Sequence, residues 1–304
     1  MLDAYMTSTQ SLSDGLALYE TEFLAARNLA LRSRREYLND LNDLLVYLTS
    51  VAGVSDPVQV SRRHLDGYLA ELDRRGFSGA TRRRKVSSIR SFFGFLQGSG
   101  LIQVSPALKL IPPERERMEP RVLSEAEYKR LLEAVRGDIR DQAIIELLLQ
   151  TGLRLSEVAR LHVNHVYLPA KISKEPGFVG SVTVLGKGRK QRSVTLNYKA
   201  CRAIKNYLSV RPAADDTHLF LTKFNKGIGP RGIEKLVEKY LTEAGIPNAS
   251  VHTLRHTFAT HTIKKGTKLE VVRQALGHES LETTSVYVHL AREMMDKELQ
   301  ENAL

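Results

Sequence analysis

Residues 181–196, SVTVLGKGRKQRSVTL, decide the fold class of the carboxy-terminal half. β-Branched residues alternate on both sides of a polar connection, which predicts two antiparallel strands joined as a hairpin with Lys187 at its tip. The sequence on either side has helical patterns. The prediction is therefore a mainly α protein whose carboxy-terminal domain is mostly helical and carries a small antiparallel β-sheet.

Helix signals surround the strand pair. Ser124 and Glu127 form a capping-box pattern at the start of one helix. The apolar stretch 138–152, DIRDQAIIELLLQTG, predicts a buried helix that ends at Gly152. Further helices are predicted from Pro230, across residues 252–263 and from about Ala291 to the end.

The first hundred residues predict a four-helix bundle. Apolar residues recur there at steps of three and four, as in Leu12, Leu16, Tyr19 and Phe23. The proline-rich stretch that follows has no helical period and indicates a linker. The predicted organisation is an amino-terminal helical domain, a linker and a carboxy-terminal domain, at residues 1–105, 106–121 and 122–304.

Composition bounds the class of protein. The chain has 304 residues, of which 42% are hydrophobic and 26% charged, which is typical of a two-domain globular protein. Its apolar runs fall short of the roughly 20 residues that span a bilayer, and its start lacks the basic region of a secretory signal. The single cysteine, Cys201, excludes an intramolecular disulfide and a Cys-based zinc site. We therefore expect a cytoplasmic protein.

The charge balance makes polyanions plausible partners. The formal net charge is +11 and the isoelectric point is near 9.7. Basic residues cluster in the predicted bundle and at the hairpin, and they are either phosphate contacts or merely solvated faces. The DNA-contact candidates are Arg34, Arg35, Arg82, Arg83, Arg84, Lys85, Arg90, Arg189 and Lys190.

Five short motifs follow one another in the second half. They are TGLRLSE (151–157), GKGRKQR (186–192), HTLRH (252–256), LGH (276–278) and Tyr287. Each alone is weak, but their order and spacing resemble those of the tyrosine recombinase family. The helical amino-terminal domain is similar to the SAM-like core-binding domain of that family, so the likeness covers almost the whole chain. With no further domain ahead of the bundle, the chain looks most like the two-domain Xer-type recombinases.

The resemblance implies six catalytic residues. Two arginines would clamp the scissile phosphate, a histidine would add a hydrogen bond, a lysine would protonate the leaving 5′ oxygen, and a second histidine would assist the tyrosine nucleophile. In that order they are Arg154 and Arg255, His278, Lys187, His252 and Tyr287. Lys190 is the rival for the acid. Glu157 and His256 are expected to support these groups without touching the substrate.

The same resemblance implies the reaction and its partners. Attack by Tyr287 would form a 3′-phosphotyrosyl intermediate and lead to strand exchange through a Holliday junction, with no metal or other cofactor. The partner would be double-stranded DNA with inverted-repeat core sites, bound by a homotetramer on two sites, or by a heterotetramer with a related recombinase. A terminal helix in residues 291–304 would either link the protomers or pack on its own domain.

Other readings of the sequence stay open. The cellular role is either the resolution of chromosome or plasmid dimers or the integration of a transposon or phage. A type IB topoisomerase shares the chemistry, and a catalytically idle DNA-binding protein shares the charge. Residues 166–180 form a longer connection than the family commonly has, which is either a plain loop or a DNA contact. The target sequence cannot be read from these residues, because base contacts and DNA deformability determine it.

Overall fold

The computed structural model describes residues 11–114, 119–175, 177, 179–186, 191–277, 287, 288 and 300. The chain divides into two compact units, Met1–Arg117 and Met118–Leu304. Helices dominate both units and the second contains one three-stranded antiparallel sheet, so the predicted fold class is confirmed. Across the described ranges, no helix combines the length and apolarity that crossing a membrane requires.

The amino-terminal unit is the predicted helical bundle. Serines set two of its helix starts, since the Ser11 and Ser78 side chains accept hydrogen bonds from the backbone N–H groups of Asp14 and Thr81. Its helices are α1 (Leu12–Leu18), which continues as a π-helical segment (Tyr19–Leu24), α2 (Leu31–Ser50), α3 (Arg62–Arg74) and α4 (Gly79–Gly98).

The core of this unit is aromatic at its centre and extends past the last helix. Tyr19 packs edge-on against Phe92, and both are fully buried. Ala107 and Leu110 are also fully buried in this core. Both residues lie in the segment predicted to be a linker, because they pack on the core without forming a helix and the neighbouring prolines obscure the apolar pattern. The amino-terminal unit therefore includes the first part of the predicted linker.

Helices α2, α3 and α4 also enclose a polar network. The Lys85 ammonium donates to Asp43 Oδ2 at 2.8 Å and to Tyr68 Oη at 3.3 Å, and it lies 3.3 Å from Asp40 Oδ1. Lys85 and Asp40 are only 5% and 2% exposed. Each buried charge faces an opposite charge, as burial away from water requires. The network connects the three helices through side-chain contacts.

The carboxy-terminal unit surrounds a larger apolar core. Both helix signals in its first part are confirmed: Ser124 and Glu127 form the capping box, and Gly152 ends the following helix at a φ of 61°. The helices are α5 (Glu125–Ala134), α6 (Ile139–Thr151), α7 (Leu155–Ala159), α8 (Tyr198–Val210), α9 (Pro230–Glu243), α10 (Val251–Lys264) and α11 (Leu269–Leu276). The predicted helix from Ala291 falls outside the described residues, except for Gln300.

The predicted strand pair is confirmed. Strands β2 (Gly180–Leu185) and β3 (Gln191–Leu196) pair antiparallel, from Gly180 opposite Leu196 to Leu185 opposite Gln191. A third strand, β1 (Val166–Tyr167), pairs with β2 and was not predicted, because two residues show no alternation. The longer connection 166–180 thus begins as an edge strand of the sheet.

Candidate active site

The turn after α6 positions Arg154, the first of the two predicted phosphate-binding arginines. Gly152 has a positive φ, and a Cβ added there would lie 2.5 Å from Phe258 Cδ1 and 2.7 Å from Leu276 Cδ2, so the turn requires glycine. Two residues later Arg154 occupies the N-cap position of α7, half-buried. Its backbone N–H donates to Glu157 Oε2 at 2.8 Å. The guanidinium therefore projects from a rigid turn.

The second arginine reaches the same place from α10. Arg255 is 9% exposed, and its guanidinium donates to the carbonyl oxygens of Gly152 at 2.5 Å and Leu276 at 2.9 Å. Arg154 donates to the next carbonyl, that of Gly277, at 2.8 Å. Carbonyls at a helix C-terminus lack intrahelical partners and favour cations. The end of α11 thus holds both guanidinium groups side by side.

A third arginine, Arg192 on β3, completes the cluster. It donates two hydrogen bonds to the Glu157 carboxylate, at 2.6 and 3.0 Å, and Arg154 donates a third at 3.2 Å. Burial alone would raise the pKa of Glu157, but hydrogen bonds from the Arg192 side chain and the Arg154 backbone hold it below its usual value. Glu157 is therefore an anion, and it orients two arginines at once.

The electrostatic balance of the cluster favours a bound anion. Burial, followed by the charge of Arg154, lowers the pKa of Arg255 to about 10, which leaves the guanidinium protonated at neutral pH. Among the described residues, three guanidinium groups face one carboxylate and otherwise neutral carbonyls. A phosphate diester would meet an excess of positive charge, held by groups that need not reorganise to receive it.

Tyr287 lies buried beside this cluster. It is 1% exposed and packs with Ala259, Ile263 and Leu276. Its hydroxyl lies 2.5 Å from Nδ1 of His256. Burial raises the pKa of Tyr287 to about 12, although the charge of Arg255 opposes that rise. The phenol is therefore protonated at neutral pH, and it would need an acceptor for its proton in order to act as a nucleophile.

The two histidines of the HTLRH motif occupy different environments. His252 is exposed, whereas His256, one turn later on α10, is half-buried. Burial, and then the nearby His252 and Arg255, lower the pKa of His256. His256 was expected only to support its neighbours, but it is the histidine that contacts the Tyr287 hydroxyl.

Several site candidates lie outside the described residues. They are Lys187, Arg189, Lys190 and His278. The register of β2 and β3 ends at Leu185 and Gln191, so the segment with Lys187 connects two paired strand ends. His278 follows Gly277, whose carbonyl accepts a hydrogen bond from Arg154. The assignments of these four residues stay predictions.

The basic candidates of the amino-terminal unit are mostly engaged within that unit. Lys85 is buried in the polar network, so its ammonium is not placed to contact DNA. Arg84 pairs with Asp40 and Glu36, and Arg82 pairs with Asp73. The guanidinium groups of Arg34, Arg83 and Arg90 donate to the backbone carbonyls of Arg27, Glu114 and Leu110. Arg35 is exposed.

Arg192 was not among the site residues predicted from the sequence. It is the last residue of the GKGRKQR motif, and its place at the start of β3 was the available signal. Recognising its partner requires knowing that β3 lies against α7, 35 positions earlier in the chain. Among the described residues, no group of three or more His, Cys, Asp or Glu side chains could hold a metal ion.

The carboxy-terminal unit also contains a cavity of about 1060 Å³. Helices α5, α6 and α10 contribute apolar walls, including Leu132, Leu149 and Phe258. Charged side chains around it are mostly basic: Lys129, Lys174, Lys199 and Lys265 against Glu125 and Glu175. The cavity therefore suits an apolar segment with acidic flanks.

Comparisons with known proteins agree with this geometry. The Phage integrase family matches residues 121–294, and the N-terminal SAM-like domain of phage integrases matches residues 16–100. Tyrosine recombinase XerC of Thermodesulfovibrio yellowstonii is 33% identical over 302 residues, which cover 94% of this chain and 93% of that protein.

Two solved structures share the fold. XerH site-specific recombinase, bound to a palindromic difH substrate in a post-cleavage complex, covers 93% of this chain and 83% of its own, with a TM-score of 0.74 and 22% identity. A lambda integrase tetramer bound to a Holliday junction covers 89% of this chain and 78% of its own, with a TM-score of 0.70 and 14% identity.

Proposed function

The chain belongs to the phage integrase family and is a tyrosine-type site-specific recombinase, and on that premise we propose that Tyr287 cleaves and rejoins duplex DNA. The observation that carries the proposal is the convergence of Arg154 and Arg255 on the end of α11, beside the buried Tyr287. A guanidinium fork matches two phosphate oxygens and is always charged. The pair therefore suits the negative charge that develops on a phosphate under attack.

The proposed reaction has two reversible steps. Tyr287 Oη attacks phosphorus, the bond to the 5′ oxygen breaks, and the DNA 3′ end is held as a phosphotyrosine. Lys187 protonates the leaving oxygen, and His278 adds a hydrogen bond to the phosphate. A 5′ hydroxyl from another strand then attacks the phosphotyrosine and restores the DNA. The covalent link conserves the energy of the broken bond, so the reaction needs no nucleotide cofactor.

We assign the chain to the Xer-type role, the resolution of chromosome or plasmid dimers. The support is the 33% identity to a XerC recombinase over almost the full length of both proteins. The substrate would be duplex DNA with inverted-repeat core sites, as the palindromic site in the XerH complex suggests. We also propose that the protein acts in the cytoplasm, where it would meet chromosomal or plasmid DNA.

We further propose that four copies act together on two sites. The lambda integrase neighbour forms a tetramer on a Holliday junction. The cavity beside Phe258 is the proposed acceptor for residues 291–304 of a neighbouring copy. That segment has apolar Met294, Met295 and Leu299 and more acidic than basic residues, which complements the basic side chains around the cavity.

The assembly has its own test. Met294→Asp combined with Met295→Asp should abolish tetramers on paired sites and leave binding to a single site intact, as native gels with labelled DNA would show. Gln300→Ala is the control in the same segment and should assemble normally. Tetramers of the double variant would contradict the proposed docking.

The test of the chemistry is a covalent adduct. The wild-type protein and Tyr287→Phe are incubated with nicked duplexes that carry candidate sites, and the products are separated under denaturing conditions. Wild type should form an adduct and Tyr287→Phe should bind the DNA without forming one. An adduct in Tyr287→Phe would overturn the assignment of the nucleophile. Binding without an adduct for either protein would favour an idle DNA-binding protein.

A further inference from the structure

The contact between His256 and Tyr287 has the geometry of a proton-transfer pair. The 2.5 Å separation of Nδ1 and Oη is at the short end of the hydrogen-bond range. Burial raises the pKa of the phenol and lowers the pKa of the imidazole. At neutral pH the phenol is therefore the donor and Nδ1 the acceptor, which leaves the imidazole proton on Nε2.

The other histidine of the motif is placed differently. His252 is exposed, and it acts on His256 at a distance by lowering its pKa. An exposed imidazole on the same face as Arg255 is suited to the incoming phosphate. The half-buried His256 is instead turned to the phenol. The resemblance assigns the assistance of Tyr287 to His252, whereas the contact with the Tyr287 hydroxyl is made by His256.

We propose that His256 accepts the proton of Tyr287 when the tyrosine attacks DNA. The proposal rests on the proposed function, in which Tyr287 is the nucleophile. His256 follows Arg255 directly on α10. The proposed proton acceptor and one proposed phosphate ligand therefore come from the same turn of one helix, and the charge of Arg255 acts on the pKa of both His256 and Tyr287.

The step conserves every proton. As the bond from Oη to phosphorus forms, the phenolic proton moves to Nδ1 of His256 and produces an imidazolium ion. The bond to the 5′ oxygen breaks, and that oxygen takes a proton from the general acid. In religation, the attacking 5′ hydroxyl gives its proton back to the general acid, and the imidazolium returns its proton to the departing tyrosine oxygen. His256 and the general acid thus end the cycle as they began it.

The contact can be tested in the free protein, without any DNA. Histidine labelled with ¹⁵N reports the state of each ring nitrogen, and the His256→Asn variant identifies the signals of His256. Tyr287→Phe removes the donor and should shift the Nδ1 signal of His256 while leaving that of the distant His218 unchanged. An unshifted Nδ1 signal would overturn the proposal, whatever the protein does to DNA.

The proton transfer is tested by the rate of adduct formation in a single turnover. His256→Asn keeps an oxygen that can accept the hydrogen bond but cannot hold the proton. Its rate should fall about 10²- to 10⁴-fold, the usual contribution of general base catalysis. Its DNA affinity should not change. The rate of adduct formation by His256→Ala should fall by a similar factor and should recover when free imidazole is added.

The pH profile separates proton acceptance from positioning. The wild-type rate should decline at acid pH as His256 becomes protonated, and then level off towards neutral pH. His256→Asn should lose that plateau, and its rate should rise tenfold per pH unit because hydroxide replaces the base. His252→Asn is the matched control and should keep the plateau. If both His256 variants formed the adduct at the wild-type rate or faster, the contact would only hold Tyr287 in place and His256 would not accept its proton.

Discussion

Arg192 and Glu157 are joined by two parallel hydrogen bonds of 2.6 and 3.0 Å that connect β3 to α7. The same carboxylate holds Arg154, and Arg192 also lies against Gly277, where an added Cβ would come within 2.8 Å of its Cζ. Glu157 therefore links strand β3 to Arg154, one of the two arginines proposed to bind the phosphate. We therefore predict that Arg192 positions Arg154 through that carboxylate.

The first prediction concerns Arg192→Lys. A lysine keeps the charge but cannot make the two parallel bonds to Glu157, so Arg154 should lose its fixed orientation. Misplacement of a positioning group by about 1 Å can cost about 100-fold in rate, and we expect a loss of that order in adduct formation with little change in DNA affinity. Arg136→Lys, at an exposed ion pair on the same unit, is the control.

A double-mutant cycle shows whether Arg192 acts through Glu157. If it does, Glu157→Gln combined with Arg192→Lys should be about as slow as the slower single variant, because residues in one network are not additive. Single-turnover rates of the four proteins provide the measurement. Losses that multiply would mean that Arg192 contacts the DNA directly.

A second prediction uses two substitutions of Tyr287. Tyr287→Phe keeps the buried ring and removes one hydrogen bond, so the free energy of unfolding should fall by only about 1 kcal/mol. Tyr287→Ala empties a space among Ile263, Val272 and Leu276 and should cost about 3 to 5 kcal/mol. Denaturant unfolding of the three proteins measures both values. An equal loss for both variants would contradict the packing described here.

The sequence predicted the elements that depend on local signals. Ser124 and Glu127 begin a helix through contacts three positions apart, and Gly152 ends one through its own φ. The alternation in β2 and β3 fixes which side chains are buried without reference to any other segment. Such elements could be read from the chain alone, and so could the motif positions of Arg154 and Arg255.

Features that depend on distant partners could not be predicted. The run from Arg82 to Lys85 is typical of a solvated face, yet Lys85 is buried against Asp43, 42 positions earlier. The partner of Tyr287 was also missed, because two histidines on α10 compete and only the packing distinguishes them. Residue type gives the chemistry available, and tertiary contacts decide which residue supplies it.

A third prediction separates DNA contacts from structural charges in the amino-terminal unit. Lys85→Met leaves the buried Asp40 and the half-buried Asp43 with a missing partner and should lower the free energy of unfolding by about 3 to 5 kcal/mol. Arg35→Ala, at an exposed position, should change it by less than about 0.5 kcal/mol.

The same two substitutions should have the opposite ranking in their effect on the salt dependence of DNA binding. Arg35→Ala should reduce the slope of log affinity against log salt by about 1, as expected for one lost phosphate contact. Lys85→Met, measured where the protein is still folded, should leave that slope unchanged. If Lys85→Met reduced the slope of log affinity against log salt, the Lys85 ammonium of the wild-type protein would have to leave the network and contact DNA.

The last prediction is a pH dependence of stability that comes from His256. Its pKa in the folded protein lies below the ordinary value of 6.5 because of burial and of the nearby His252 and Arg255. As pH falls through 6.5, the unfolded chain takes up this proton before the folded protein does, so stability is lost. The loss continues until the pH falls below the lowered pKa, and above 6.5 the contribution is fully present.

His256→Asn removes this one titration. The pKa values of His162 and His261 are also lowered, so the wild type should lose stability in acid through more than one group. The difference between wild type and His256→Asn isolates His256, and it should shrink as the pH is lowered from 7.5 to 5. Denaturant unfolding at a series of pH values measures that difference. If the difference in the free energy of unfolding stayed constant with pH, the His256 imidazole of the folded protein would take up its proton as readily as an imidazole in water. The short hydrogen bond from Tyr287 to Nδ1 should prevent that.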